Sequence, residues 1–87
     1  MAAAREGSTN PPYTKKQGQY LAFIHYYTKL HGQPPAEHDM QRYFQATPPT
    51  VHNMVTTLHK RGLIERTPGQ GRTIRVLLPR ESLLELE

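Results

Sequence analysis

Apolar residues recur at helical spacing over three stretches of the chain and alternate over a fourth. In the first stretch Leu21, Phe23, Ile24, Tyr27 and Leu30 form a broad stripe with Tyr20 beside it, which predicts a helix from about Thr14 to His31. Thr14 and Gln17 make a capping box: the threonine hydroxyl accepts from a free first-turn amide while the glutamine reaches back. Gly32 is suited to the left-handed closing residue, and Pro34-Pro35 forbids continuation. A second, shorter helix is expected over Ala36 to Phe44, with Met40 and either Tyr43 or Phe44 facing inward and Glu37 and Asp39 in the first turn. Thr47 followed by Pro48 reads as a hydroxyl cap with proline at the first helical position. That start opens a third helix from about Pro48 to Arg61, with Val51, Val55 and Leu58 on its inner face and Met54 at the flank.

Beyond Gly62 the period changes. Leu63 to Thr67 reads as a strand, Pro68-Gly69-Gln70-Gly71 as a turn, and Arg72 to Leu78 as the return strand. Ile74 and Val76 alternate there against Arg72 and Arg75, so one face is apolar and one edge basic. Arg66 is expected to pair across the hairpin with Glu65 or with another neighbour. A lone hairpin is not stable, so its apolar face must lie on the helices. Two helices joined by a short turn and followed by a hairpin make an α+β fold, a winged helix-turn-helix.

Composition narrows the class. At 87 residues there is room for one domain. Residues 1–12 are small, polar and proline-ended, and read as a flexible arm. The domain is then expected over residues 13–79, with an acidic carboxyl-terminal tail over residues 80–87 that reads as a helical turn or a frayed end. With no cysteine, disulfides and thiolate metal sites are excluded. No apolar run approaches the roughly 20 residues that span a bilayer, so no membrane association is expected and a cytoplasmic location follows. The formal net charge is +4, but from Gly7 to Arg80 ten basic residues face only Glu37, Asp39 and Glu65, a net of +7. That excess favours a polyanionic partner.

Several short motifs recur in one order: G-x-P-P at Gly32 to Pro35, Met40, P-x-T-V-H at Pro48 to His52, Leu58, K-R-G-L-I-E-R at Lys60 to Arg66, Pro68-Gly69, and R-x-I-R at Arg72 to Arg75. Together they make the stretch from Thr14 to Leu78 resemble the amino-terminal DNA-binding domain of the LexA repressors of the bacterial DNA-damage response. The resemblance implies double-stranded DNA as partner and a role in transcription regulation. It also implies base-reading residues at Thr47, Pro49, Thr50, His52 and Asn53. Their chemistry agrees: Asn53 can bond an adenine edge with both halves of its amide, the threonines can donate or pack a methyl on thymine, and His52 can donate to guanine. Lys15, Lys16, Lys60, Arg61, Arg72 and Arg75 are expected on the DNA backbone, with Gln70 and Gly71 at the wing tip.

Two departures from the family pattern matter. Phe44 and Gln45 stand where the family has glycine and an apolar residue, so the inter-helix turn is expected to differ or the second helix to run longer. Full-length relatives also carry a serine-lysine peptidase domain that cleaves the chain and dimerises it. These 87 residues leave no room for one, so self-cleavage is not expected.

Enzymatic readings find little support. His52 and His59 lie seven residues apart, about two turns along one helix, too far to share a metal without a third ligand. No nucleophile has a base at a recognisable spacing, and no glycine-rich phosphate loop is present. No metal, cofactor or small-molecule ligand is therefore expected. A homodimer on DNA and a protein partner both stay open, as does a winged-helix protein-interaction module or anti-repressor acting without specific DNA contact.

Overall fold

The computed structural model describes residues 12–87. All of the expected arm except Pro12 lies outside the described residues. Helix α1 (Lys15–His31), helix α2 (Glu37–Phe44) and helix α3 (Pro48–Lys60) precede strands β1 (Ile64–Glu65) and β2 (Arg75–Val76). The strands pair antiparallel, Ile64 opposite Val76 and Glu65 opposite Arg75. This is the expected winged helix-turn-helix.

The caps account for the helix boundaries. The Thr14 amide donates to Gln17 Oε1 at 2.9 Å, and the Gln17 amide donates to Thr14 Oγ1 at 3.1 Å, completing the capping box. At the head of α2, the Ala36 amide donates to Asp39 Oδ2 at 2.8 Å. At the head of α3, Thr47 Oγ1 accepts from the Thr50 amide at 3.4 Å.

One core joins all the elements. Tyr20, Leu21 and Ile24 from α1, Met40 from α2, Val51, Val55 and Leu58 from α3, and Leu63, Ile64 and Ile74 from the hairpin are buried together. Of the two aromatic candidates on α2, Phe44 packs on this core, its ring stacked 4.0 Å from that of Tyr20, whereas Tyr43 is 44% exposed. Leu30 does not join the stripe to which its spacing assigned it; it is 81% exposed. The residues of α1 are buried up to Ile24, partly buried over the next four, and exposed at Lys29 and Leu30.

The ladder is also shorter than the alternation implied, two residues on each strand. Side-chain bonds replace ladder bonds near the turn: Thr73 Oγ1 accepts from the Thr67 amide at 2.9 Å and lies 3.2 Å from the Gln70 carbonyl. At the other end, the Leu77 amide donates to the Leu63 carbonyl at 3.0 Å.

The turn between α2 and α3 is built on Phe44 and Gln45. Phe44 is the last helical residue, and Gln45 takes the left-handed conformation, φ 52°. That conformation costs an L residue about 1–2 kcal/mol, and a glycine there would return about 0.4–1 kcal/mol of it as unfolded-chain entropy. Gln45→Gly should therefore stabilise the fold by about 0.5–1 kcal/mol, a rise of roughly 3–6 °C in a thermal melt. A fall in midpoint would contradict this account of the turn.

The acidic carboxyl-terminal residues lie on the domain. After a single 3-10 turn at Arg80–Ser82, the chain runs extended along α1. The Gln19 side chain donates to the Glu85 carbonyl at 3.0 Å and accepts from the Glu87 amide at 2.8 Å, so one amide group engages the extended chain as a neighbouring strand would. The Tyr13 hydroxyl donates to the Ser82 carbonyl, and Tyr43 donates to that of Glu87. Gly18 makes the approach possible: a Cβ there would stand 2.5 Å from Leu84 Cδ1 and 2.7 Å from Tyr13 Cε1.

Candidate nucleic-acid interface

The outer face of α3 is polar, exposed and carries no carboxylate. Its amino-terminal half brings together all five residues expected to read bases. Thr47 caps the helix and its hydroxyl lies 2.8 Å from that of Thr50, so each threonine orients the other. Pro49, His52 and Asn53 are exposed along the same half. The inner face of the helix, Val51, Val55 and Leu58, is completely buried. The core thus fixes the rotation of α3 and aims the candidate base-reading residues outward.

The wing stands beside this face. A crevice of about 370 Å³ separates α3, the start of α2 and the hairpin turn, lined among others by Glu37, His52, Arg66, Gln70, Arg72 and Ile74. Gln70 and Gly71 sit at the exposed tip.

The basic residues divide by what they already hold. Arg72 reaches back to the body of the domain, 3.2 Å from Asp39 Oδ2, 3.2 Å from the Tyr27 hydroxyl and 3.4 Å from the Pro34 carbonyl. Its own backbone is left-handed, φ 57°. The hydrogen bond with Tyr27, with Asp39 adding its charge, holds the Arg72 guanidinium above its ordinary range. Arg75 pairs with Glu65 across the hairpin, and Arg66 pairs instead with Glu37 at 3.7 Å. Arg61 donates to the Pro12 carbonyl at 2.9 Å, which brings the end of α3 to the start of α1. Lys15 lies 3.6 Å from Glu87, and Lys16 stands 5.8 Å above the Phe44 ring. Lys60 is exposed, and no described carboxylate lies within ion-pair distance of it or of Lys16.

Sequence reasoning missed the hub at the head of α2. Glu37 and Asp39 have a sufficient local reading as first-turn acids facing the helix dipole. In the fold they do more: Asp39 caps α2 and holds Arg72 of the wing, while Glu37 lies 3.4 Å from His52 on α3 and also holds Arg66. An excess of arginine in the hairpin was the only signal that these two acids had distant partners.

Among the described residues no three potential ligands come together to hold a metal ion, and no helix is long and apolar enough to cross a membrane. The LexA DNA binding domain family matches residues 10–73. A LexA repressor of Thermosipho melanesiensis is 37% identical over 71 residues, covering 82% of this chain. The match covers 36% of that repressor, so the chain spans about a third of the length of this curated relative. The matched segment includes the capped helix α3, β1 and the hairpin turn and stops short of β2, and the matched family describes a DNA-binding unit rather than a catalytic one. On its fold and these matches, the chain belongs to the LexA DNA-binding-domain family.

Proposed function

We propose that this domain binds double-stranded DNA sequence-specifically and regulates transcription in the cytoplasm, with α3 in the major groove and the wing over the adjacent backbone. The observation that carries the reading is the amino-terminal half of α3: Thr47, Pro49, Thr50, His52 and Asn53 are exposed together on a helix without a carboxylate, beside the wing. Family membership supports the DNA partner. Asn53 offers a donor and an acceptor to adenine, and the threonines offer hydroxyls and methyls. Lys15, Lys16, Lys60 and Arg61 serve the phosphates from the ends of α1 and α3, and Arg75, Gln70 and Gly71 from the wing. Arg72, held by Asp39, Tyr27 and Pro34, contributes mainly by fixing where the wing stands.

A salt titration tests this division. Binding to a selected duplex should weaken linearly in log-log form as salt rises, because each phosphate contact releases counterions. Lys60→Ala should weaken binding to all duplexes and reduce the salt slope by about one. Arg72→Ala should weaken binding to all duplexes with the slope nearly unchanged, since the group lost is a brace. A slope reduced equally in both variants would assign Arg72 to the phosphates. Absence of any duplex binding at low salt, with one protein recovered stoichiometrically in a pull-down, would instead make the domain a protein-interaction module.

A further inference from the structure

We infer that Glu37, which lies outside the reader helix, decides which hydrogen-bonding character His52 shows to a base pair. The inference rests on the reading of α3 as the DNA-reading helix. His52 Nδ1 lies 3.4 Å from Glu37 Oε2, and the same oxygen lies 3.7 Å from Arg66 Nη1. An ionised carboxylate has no proton to give, so in this pair Nδ1 carries the proton. In the neutral ring the other nitrogen, Nε2, is then an acceptor.

That assignment reverses the simplest expectation for His52. An acceptor matches the exocyclic amino groups that adenine and cytosine present in the major groove. Guanine presents two acceptors there, which suit a donor. Neutral His52 anchored by Glu37 therefore favours adenine or cytosine, and only the protonated ring, with both nitrogens donating, suits guanine.

The anchor is well held. Asp39 accepts from the Ala36 amide and pairs with Arg72, which fixes the first turn of α2, and Arg66 holds the Glu37 carboxylate from the hairpin side. The charged groups facing His52 are thus Glu37 from α2 and Arg66 beyond β1; Arg72 lines the same crevice but pairs with Asp39. The Glu37 side chain is 31% exposed and that of His52 59%, so the anchor is the more sheltered of the two.

Two readouts test the proposal on the full chain, both at about pH 8.5, above the range in which histidine ordinarily changes charge. Nitrogen NMR of the imidazole should place the His52 proton on Nδ1 in the parent chain. In Glu37→Ala it should move towards Nε2, the site preferred by imidazole in water. Glu37→Gln, whose side-chain oxygen still accepts, should retain part of the parent population. A tautomer unaffected by Glu37→Ala overturns the proposal whatever the DNA result.

Selection from random duplexes is the second readout. The position read by His52 is the one whose preference disappears in His52→Ala. There the parent should enrich adenine or cytosine, and Glu37→Ala should shift the preference about two- to tenfold towards guanine. An unchanged preference overturns the role of Glu37 and leaves DNA reading intact. No enrichment at any position overturns the DNA reading itself, and with it this proposal.

Discussion

Leu58→Ala should leave most molecules unfolded at physiological temperature. Leu58 is completely buried, where the inner face of α3 meets α1, α2 and the hairpin. Removing a buried leucine side chain costs about 2–5 kcal/mol, through lost burial and the cavity left behind. A single core in a domain under about 80 residues rarely supplies more than about 3–5 kcal/mol in total. The two magnitudes are comparable, so one substitution consumes most of the margin. Helix α3 would be lost with the core, because Val51, Val55, Thr56 and Thr57 are weak helix formers and the helix depends on packing. Leu30→Ala is the matched control: the same atoms are removed from a position 81% exposed, and the cost should stay within about 0.5 kcal/mol. Circular-dichroism melts decide the matter. Equal losses at the two positions would mean that the core is not where the structure places it.

Asn53→Ala should do the opposite, leaving the fold intact and erasing information. Asn53 is exposed on α3, so its truncation should change stability by no more than about 0.5 kcal/mol. If its amide bonds an adenine edge through both groups, its loss costs about 1–3 kcal/mol of discrimination, roughly fivefold to 150-fold. The loss should fall on one base position, while affinity for unrelated duplexes and the salt slope stay near their parent values. Parallel titrations of the selected duplex and of single-base variants would show it. A uniform loss across all duplexes would reassign Asn53 from reading to backbone contact.

The features that could be read from the chain are those decided locally. The Thr14-Gln17 capping box, the Thr47 cap with Pro48, and the stripe Val51-Val55-Leu58 each depend on residues within two turns of one another, and all appear in the fold as expected. The errors share one cause. Leu30 satisfies the α1 periodicity, but no neighbouring element extends far enough along the helix to cover it. The alternation from Arg72 onward implied a longer strand, but Thr73 closes the turn with its side chain. Gln19 meets Glu85 and Glu87 across more than 60 residues, and Gly18 makes room for Leu84 at a similar separation, which no local pattern encodes. The same holds at the site. The exposed face of α3 was readable from its polarity, whereas the bonds from Glu37 to His52 and from Asp39 to Arg72 required the fold.

The proposed reader face would meet its most direct test in selection of bound duplexes from a random pool by the full chain, followed by sequencing. The account predicts enrichment of a short motif whose preferences relax position by position in Thr50→Ala, His52→Ala and Asn53→Ala, and persist in Lys60→Ala with lower overall recovery. Recovery of a pool indistinguishable from the input, by a chain shown to be folded, would contradict it.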